Sequence, residues 1–474
     1  MSSIMDKVWD LAGVGFGPAN LSIVVSYENR CRKKAIPENE KLSAIFVEKR
    51  PRFDWHPGLL MDDAEMQVSF LKDLITLRDP TSEFTFLNYL RSTGQLLEFV
   101  NLRSFYALRT EFRDYMRWVA SALSEYVLYG TTVINVEPNT VNGRVHSLTV
   151  HTRDASGGEA RIFAKNLAVA IGGTPRWPKW LDKRSCSRVF HSSEFLQALK
   201  ATYADALQPY SFVVVGAGQS SAEMFRYLHA SYPNAVITLV IAGFALRPAD
   251  DSEFVNEIFD PTMVDFFYHS SDCERRKLMS EYDNTNYAVV DQDLIRAIYR
   301  EIYLSKRTTG RLRLIRGHRL VDVEPLGNTS RLTLRSDGDG RRSVVDADGV
   351  FLGSGYEYAR TPSIIRDLAP YFESDQAGDP IVKRDYSIKC TSNFQPRIFL
   401  QGPTEASHGL TSTLLSVLPF RADDILDSIA QTLESAIPQD VAPEWRVANP
   451  TPIRERSAEQ RVVGTVAHFK GDSS

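Results

Sequence analysis

Two glycine-rich turns in one chain constrain the fold of this 474-residue protein more than any other feature. The first occupies residues 13–20, with the sequence GVGFGPAN, and the second occupies residues 216–223, with the sequence GAGQSSAE. Each turn follows a short apolar segment and precedes a segment with helical periodicity, which is the pattern of a βαβ dinucleotide-binding unit. One such turn is weak evidence, but two predict a chain that aims two helix N-termini at two pyrophosphates. The chemistry expected of such a pair is hydride transfer from a nicotinamide to a flavin.

The first unit is predicted to contain two parallel strands with a helix between them. Residues 8–12 and 43–47 are the predicted strands, the helix is expected from Leu21 onward, and the charged, proline-containing segment 28–41 is predicted as a loop. Glu48 ends the second strand, where an acidic side chain in this fold binds a ribose hydroxyl. Glu48 is therefore the candidate ligand for the adenosine ribose, and the alternative is a solvated charge.

The residues of the two turns have separable roles. Gly13 permits the tight turn, and Gly15 lets the backbone approach the pyrophosphate. The third fingerprint position holds Pro18, which the first turn of a helix tolerates because its missing N–H would have no partner there. The cofactor-binding residues predicted from the two turns are Gly13, Gly15, Gly17, Pro18, Gly216, Gly218, Gln219 and Ser220.

The second unit is predicted from residues 212–215, a continuous apolar strand, and residues 235–241, the next parallel strand. No acidic residue follows the second of these strands, which continues into Ala242, Gly243 and Phe244. An acid in that position would repel the 2′-phosphate of NADPH. Its absence therefore permits NADPH as the reductant.

Composition argues against several classes of function. Hydrophobic residues make up 43% and charged residues 24% of the chain, and 55 Lys and Arg against 59 Asp and Glu give a net charge of -4. This balance argues against nucleic acid as a partner, and no apolar run is long enough to predict a membrane span. The 4 cysteines have no CxxC spacing and the 9 histidines no metal-ligand spacing. We therefore expect reduced thiols, no metal and a cytoplasmic location.

Further segments carry a resemblance to a known family. They are residues 53–58 (FDWHPG), 66–74 (MQVSFLKDL), 80–90 (PTSEFTFLNYL), 247–257 (RPADDSEFVNE), 284–287 (NTNY), 348–356 and 408–419. Together with the two glycine-rich turns, they resemble the flavin-dependent N-hydroxylating monooxygenases, specifically the ornithine hydroxylases of siderophore biosynthesis. The resemblance spans nearly the whole chain in the same order.

The resemblance implies an α/β fold with two Rossmann-like dinucleotide-binding domains, for FAD and NADPH, and a small, mainly helical substrate-binding region. It implies tightly bound FAD, NADPH as reductant, dioxygen as co-substrate, and hydroxylation of the side-chain amine of L-ornithine through a flavin hydroperoxide. The product would serve a hydroxamate siderophore or a related natural product. The expected assembly is a homo-oligomer, a tetramer by the same resemblance.

Four regions are predicted along the chain. The predicted regions are residues 1–205 with 335–440 for the FAD-binding domain, 206–250 with 300–334 for the NADPH-binding domain, 251–299 for the helical substrate-binding region, and 441–474 for a polar C-terminal tail.

The resemblance also assigns roles to residues outside the glycine-rich turns. Trp55 and His56 would line the flavin, and Gln67 would form a hydrogen bond near its reacting edge. Lys72 would pair with the substrate carboxylate. Taken alone, Trp55 is more typical of a hydrophobic core and Lys72 of a solvated charge.

Four more positions complete the predicted site. Asn256 would hold the amino-acid head of the substrate, and Asn286 would lie between the substrate and the nicotinamide. Arg109 matches a position associated with NADPH, and Ser416 matches a site near the flavin and the substrate. The two asparagines have an alternative as helix caps. The predicted catalytic residues are thus Gln67, Asn286 and Ser416.

Two departures from the family pattern bear on function. Ala242 stands where many relatives carry an arginine, which removes one contact to the 2′-phosphate, so we expect modest discrimination between NADPH and NADH. Ser412 replaces a frequent aspartate in the late motif, and its small side chain is expected to preserve the backbone path.

Three classes of alternative to ornithine hydroxylation are considered: a lysine or diamine hydroxylase, a disulfide reductase, and a nucleotide-binding protein without activity. A lysine hydroxylase differs by one methylene of pocket depth, and a diamine has no carboxylate for Lys72 to bind. A two-dinucleotide disulfide reductase would need a close pair of cysteines, which this sequence lacks. A nucleotide-binding protein without activity would have no need for the polar set formed by Gln67, Lys72, Asn256 and Asn286.

Overall fold

Two five-stranded parallel sheets, one for each glycine-rich turn, organise the computed structural model. It describes residues 7–182, 185–282, 285 and 288–435. The strands of the first sheet lie in the order Arg397–Leu400, Asn166–Val169, Leu11–Val14, Ala44–Val47 and Val127–Leu128. Those of the second sheet lie in the order Val189–His191, Gly349–Leu352, Ser211–Val215, Val236–Ile241 and Leu312–Arg316.

Both faces of each parallel sheet are covered, which explains why most residues of the strands are apolar. In the first sheet, Phe46 packs toward the helices Pro18–Lys34 and Leu418–Ser435, while Val47 packs on the other face against the sheet that contains Thr131–Val141 and Arg144–Asp154. Successive side chains of a strand point to opposite faces, so each strand contributes to both layers. Full burial of such a side chain contributes about 1.5–3 kcal/mol.

Smaller sheets and helices surround the two parallel sheets. A four-stranded sheet contains Val8–Trp9, Glu159–Ala164, Arg144–Asp154 and Thr131–Val141, and an antiparallel sheet contains His318–Leu326, Thr329–Ser336 and Arg342–Ala347. Two-stranded pairs join Arg247–Pro248 to Val289–Val290 and Thr174–Pro175 to Tyr356–Glu357. The α-helices are Pro18–Lys34, Phe86–Ser92, Leu96–Leu102, Arg109–Ala122, Phe195–Thr202, Gln219–Ser231, Glu253–Asn256, Pro261–His269, Asp272–Glu281, Gln292–Arg307, Glu405–His408 and Leu418–Ser435.

None of the helices in the described ranges is both long and apolar enough to cross a membrane.

The predicted α/β class is confirmed, and one local prediction was partly wrong. Pro18 is the first residue of the first helix, as expected, and the strand that precedes Glu48 is present. The segment 28–41, however, is not a loop throughout, because the helix continues to Lys34. Cys31 is buried on its inner face, and the basic residues of the last turn interact favourably with the helix C-terminus.

The observed sheets also change the predicted domain boundaries. Val189–His191 and Gly349–Leu352 belong to the second sheet, although both lie in the ranges assigned to the FAD-binding domain. The helix Gln292–Arg307 crosses the predicted boundary at residue 299 and packs on the second sheet through Ile298. Strand partners distant in sequence decide these memberships, and an apolar strand does not reveal its partner. The predicted tail at 441–474 lies outside the described residues.

Candidate nucleotide and substrate site

The first glycine-rich turn presents open backbone at the start of a helix. Gly15 has a φ of +82°, and a Cβ at this position would lie 2.4 Å from the carbonyl oxygen of Ala170. Gly17 is the N-cap of the helix Pro18–Lys34, which has no side-chain cap and no acidic residue in its first turn. A Cβ at Gly17 would meet no protein atom within 4 Å. This free, electropositive end fits a pyrophosphate.

Glu48 lies at this turn, as the sequence predicted. Its Oε2 accepts a hydrogen bond from the backbone N–H of Phe16 at 2.8 Å, and its Oε1 accepts one from the N–H of Arg50 at 2.9 Å. Each carboxylate oxygen has a further acceptor site. The contact with the adenosine ribose stays a prediction.

Asn20 supports the same turn, and sequence reasoning gave it no role. It is fully buried, its Nδ2 donates to the carbonyl of Gly15 at 2.7 Å, and its Oδ1 accepts from Gln401 at 2.7 Å. A buried amide with satisfied hydrogen bonds specifies one conformation of the turn. The available signal was an amide in the first turn of a helix, directly before the mostly apolar residues 21–25.

Trp55 and His56 lie side by side on the segment that leads into the 3-10 turn Pro57–Leu59. Their ring centroids are 4.5 Å apart with planes at 72°. His56 has a left-handed φ of 47° and is exposed, while Trp55 is half-buried and packs toward Phe112. Trp55 is thus partly core, as its alternative interpretation held. The flavin contacts of both residues stay predictions.

The second glycine-rich turn repeats the arrangement of the first. Gly216 has a φ of +136°, and Gly218 is the N-cap of the helix Gln219–Ser231, which has no side-chain cap and no acidic residue in its first turn. Ser220 follows in the first turn of this helix. The side chain of Gln219 contacts protein groups, since its Nε2 donates to Glu223 at 2.9 Å and to Asp291 at 2.7 Å. A cofactor contact by Gln219 would therefore use its backbone.

Arg109 has protein partners for its guanidinium. The two terminal nitrogens donate to the two carboxylate oxygens of Glu223 at 2.8 and 2.7 Å, and also to the carbonyls of Leu59 at 2.9 Å and Glu65 at 3.4 Å. The paired side chains are only 11% and 9% exposed. A contact with NADPH would require Arg109 to leave these partners, so the observed geometry favours a brace between the two units.

Gln67 and Lys72 lie on one segment with different environments. The Nε2 of Gln67 donates to Asp291 at 3.1 Å. Lys72 is half-buried, and its backbone N–H donates to Ser69 at 2.8 Å. Within the described ranges, the ammonium group of Lys72 forms neither a hydrogen bond nor an ion pair. An ammonium group without a protein partner is available to an anionic ligand.

The remaining predicted residues have distinct outcomes. Asn256 is exposed, and its Nδ2 donates to the carbonyl of Asp251 at 2.7 Å. Its side chain caps no helix, so the alternative interpretation is not observed. Asn286 lies outside the described residues. Ser416 is buried, and its hydroxyl has no hydrogen-bond partner among the described residues. A buried, unpaired hydroxyl fits a position against a bound ligand.

The loop before Ser416 is held by buried polar contacts. The Nε2 of His408 donates to the carbonyl of Arg384 at 3.2 Å, its ring stacks on Tyr386 at 4.1 Å, and burial lowers its pKa to about 3. Ser412 is buried and its hydroxyl donates to the carbonyl of Gly402 at 2.9 Å. The small side chain of Ser412 therefore helps to hold the backbone of this loop in place.

Arg316 supplies a positive charge next to the segment that follows Ile241, which has Ala242 where many relatives carry an arginine. Arg316 ends the strand beside Val236–Ile241 and is in register with Ile241. The N–H of Gly317 donates to the carbonyl of Gly243 at 3.0 Å, which joins the two loops that follow these strands. Arg316 is exposed, and its guanidinium has no partner in the part of the chain that the structure describes. An arginine at this edge suits a 2′-phosphate.

The two glycines of the first turn generate a test of cofactor binding. Gly17→Val should lower FAD loading without changing the unfolding temperature of the cofactor-free protein, because the added atoms meet open space. Gly15→Val should lower both, because its Cβ would collide with the carbonyl of Ala170. Flavin absorbance per protein and thermal unfolding would measure the two effects. Gly338→Val, on a surface turn with its nearest atom at 3.8 Å, is the control. Full FAD loading in Gly17→Val would contradict this assignment.

The buried ion pair generates a test of stability. Arg109→Ala should lower the free energy of unfolding by about 3–5 kcal/mol, because it leaves the carboxylate of Glu223 buried and unpaired. The exposed pair of Arg153 and Glu159 is the control, and Arg153→Ala should cost about 0–1 kcal/mol. Urea-induced unfolding followed by circular dichroism would measure both. Equal losses in the two variants would show that the buried pair has no special role.

Comparison with known proteins identifies the family. The family model described as L-lysine 6-monooxygenase/L-ornithine 5-monooxygenase matches residues 7–358. An L-ornithine N(5)-monooxygenase of Burkholderia cepacia is 41% identical over 409 residues, which cover 85% of this chain and 90% of that protein.

Two solved structures support the same assignment. An ornithine hydroxylase from Pseudomonas aeruginosa has a TM-score of 0.83 and 39% identity, over 90% of this chain and 100% of that one. An ornithine N-hydroxylase from Kutzneria sp. 744, described with reduced FAD, NADP+ and L-ornithine, has a TM-score of 0.83 and 34% identity, over 90% of this chain and 99% of that one. These matches confirm the predicted family and fold class. The chain belongs to the L-lysine 6-monooxygenase/L-ornithine 5-monooxygenase family.

Proposed function

We propose that this protein is an FAD- and NADPH-dependent monooxygenase that hydroxylates the side-chain amine of L-ornithine. Dioxygen is the co-substrate, and the product serves a hydroxamate siderophore or a related natural product. The enzyme acts in the cytoplasm as a homo-oligomer, and family resemblance supports a tetramer. The observation that carries the proposal concerns Lys72, a half-buried residue on the segment that also bears Gln67. Among the described residues, its ammonium group has no partner.

Lys72 favours an amino acid as the substrate. Its ammonium group is a point charge that would pair with the α-carboxylate and fix one end of the molecule. The side-chain amine would then extend toward the flavin from a fixed anchor. A diamine offers no carboxylate to this group. We propose ornithine rather than lysine as the substrate, because the relatives and structures with the higher identities carry ornithine in their names.

The polar groups of the site serve binding and orientation. When bound, FAD supplies the redox chemistry that accepts electrons from NADPH and activates dioxygen. The backbone of the two glycine-rich turns holds the two pyrophosphates, and Gln67 lies where the units that hold them meet. The unpaired hydroxyl of Ser416 is available to a ligand group at the same site. In the net reaction, the amine, dioxygen, NADPH and one proton give the hydroxylamine, water and NADP+.

The substrate amine must react without its proton. A primary alkyl ammonium ordinarily titrates near pH 10.4, so only a minor fraction is neutral at pH 7. The protein therefore has to favour the neutral amine by excluding water and by anchoring only the charged head at Lys72. The hydroxylation rate at low ornithine concentration should accordingly rise with pH into the alkaline range.

Lys72→Ala should separate substrate binding from NADPH oxidation. Loss of one partner of a desolvated charge pair costs about 2–5 kcal/mol, or roughly thirty-fold to several-thousand-fold in ornithine affinity. NADPH oxidation should continue and yield hydrogen peroxide in place of hydroxylated amine. The measurement is product, peroxide and NADPH consumption with ornithine, lysine and putrescine.

The exposed Lys200 supplies the matched control, and Lys200→Ala should behave as the wild type. The preference for ornithine over putrescine should decrease in Lys72→Ala, since the carboxylate loses its partner. Loss of both activities by the same factor would contradict the role of Lys72.

The reductant preference can be tested at the strand edge. Arg316→Gln should weaken binding of NADP+ by roughly tenfold to a hundredfold, the effect of one charged hydrogen bond, and leave NAD+ nearly unchanged. Arg313→Gln removes the same charge from the same strand, three residues nearer its amino end, and should change neither. Ala242→Arg should strengthen NADP+ binding. Calorimetric titration of the wild type and the three variants with NADP+ and with NAD+ measures these dissociation constants. Equal effects of Arg316→Gln on both nucleotides would show that this side chain does not face the 2′-phosphate.

A further inference from the structure

A continuous set of polar contacts crosses twice between the two nucleotide-binding units. Five residues form it, and we call them the polar seam: Arg109, Glu223, Gln219, Asp291 and Gln67. Arg109 pairs with Glu223, Glu223 accepts from Gln219, Gln219 donates to Asp291, and Asp291 accepts from Gln67. Arg109 and Gln67 belong to segments that pack on the first unit, and the other three residues belong to the second unit. The second glycine-rich turn is thus fastened to the segment that carries Gln67.

Asp291 occupies an unusual position within this seam. It is the N-cap of the helix Gln292–Arg307, where aspartate ordinarily accepts a hydrogen bond from the first turn. Its carboxylate makes no such bond. Instead, Oδ1 accepts from Gln67 at 3.1 Å and Oδ2 accepts from Gln219 at 2.7 Å. In place of a capping bond, the carboxylate accepts one bond within the second unit, from Gln219, and one bond that joins the two units, from Gln67.

The backbone of Asp291 adds a second bond to Gln219. Its N–H donates to the Oε1 of Gln219 at 2.9 Å, so the amide of Gln219 is held at both ends. An ionised carboxylate only accepts hydrogen bonds. It therefore fixes the Nε2 end of the Gln67 amide toward the second unit, and Oε1 of Gln67 is directed elsewhere. Burial raises the pKa of Asp291 above its usual range, and the hydrogen bond from Gln67 opposes this.

We propose that Asp291 is a positioning residue for electron transfer between the two nucleotides. It locks Gln67 to the first residue of the second fingerprint helix, and so sets how the nicotinamide approaches the flavin. This inference rests on the proposed use of NADPH and FAD, and goes beyond it by naming a residue whose carboxylate contacts the glutamines of both units. The carboxylate acts through Gln67 and Gln219.

The geometry of hydride transfer explains why such a lock matters. The reacting atoms must lie about 3–3.5 Å apart, and a displacement of about 1 Å can cost about a hundredfold in rate. The two nucleotides are held by separate sheets, so their separation depends on contacts between the units. The Arg109–Glu223 pair holds the units at a neighbouring point. Loss of the Asp291 carboxylate should therefore alter alignment without unfolding the protein.

Asp291→Asn tests the proposal with little change in size. The carboxylate oxygens of Asp291 accept bonds from Gln67 and Gln219. In Asp291→Asn one of these oxygens becomes an amide N–H donor, which faces the donor of one glutamine, so one of the two bonds is lost. The rate constant for flavin reduction at saturating NADPH, measured anaerobically by stopped flow, should fall by about tenfold to a hundredfold. FAD content and the dissociation constant for NADP+ should stay within about twofold. Asp291→Glu keeps the charge and should recover part of the rate.

A second measurement does not depend on activity. Hydrogen–deuterium exchange of the segment around Gln67 and of the first turn of the helix Gln219–Ser231 should increase in Asp291→Asn, because both lose an anchor. Asp293→Asn is the matched control, since the side chain of Asp293, two residues further along, is 94% exposed and pairs with Arg296 on the same helix. This control should match the wild type in rate and in exchange.

Two outcomes would overturn the proposal. The first is an unchanged rate constant for flavin reduction in Asp291→Asn. The second is a parallel loss of NADP+ affinity and unfolding temperature, which would show that the carboxylate only supports folding or nucleotide binding. A wild-type protein that reduces its flavin with NADPH but does not hydroxylate ornithine would contradict the proposed substrate alone. The test of Asp291 would be unaffected by that result.

Discussion

The buried ion pair between Arg109 and Glu223 is the interaction on which the relation of the two nucleotide-binding units depends. Burying two charges costs several kcal/mol for each ion, and this cost is offset only when the geometry is good and further hydrogen bonds are made. Both conditions hold here, because the pair is bidentate and the guanidinium also donates to two backbone carbonyls. An apolar contact of the same size would stabilise the seam equally well. The ion pair instead selects one arrangement, since a shift of either helix would leave a charge buried and unpaired.

Local patterns predicted the parts of the fold that depend on neighbours in sequence. The strand before Glu48 and the helix start at Pro18 follow from apolar runs and from the chemistry of the first helical turn. Helix length was underestimated, because buried Cys31 continues the helical face beyond the point where charged residues begin to dominate. The partners of Val189–His191 and Gly349–Leu352 could not be predicted, since strand pairing over a long separation leaves no local signal.

The same limit applies to the candidate site. Family resemblance assigned Lys72 to the substrate carboxylate and Ser416 to a position near the flavin and the substrate, and these roles stay predictions. Among the described residues, neither the ammonium of Lys72 nor the hydroxyl of Ser416 has a hydrogen-bond partner. It also associated Arg109 with NADPH, because a motif identifies a residue position but not the side chain with which that residue pairs. In the structure, Arg109 pairs with Glu223. Nothing in the sequence distinguishes Asp291, because an aspartate directly before a helix is ordinarily a helix cap. Only its two contacts with glutamines from different units distinguish it.

Backbone hydrogen bonds connect the segments that carry Arg109, Gln67 and Lys72. The segment that carries Gln67 and Lys72 runs beside the segment that leads into Arg109, and three backbone bonds of 2.7 to 2.9 Å join them, from Met66 to Ala107, from Phe70 to Phe105 and from Arg109 to Ala64. A displacement of the second unit would pull on Arg109 and Gln67 together, and the ladder would transmit it to Lys72. If the proposed function is correct, the reductant and the substrate carboxylate share one rigid support. The ammonium group of Lys72 has no partner among the described residues, and the surrounding backbone bonds hold its segment in a position to bind an anion.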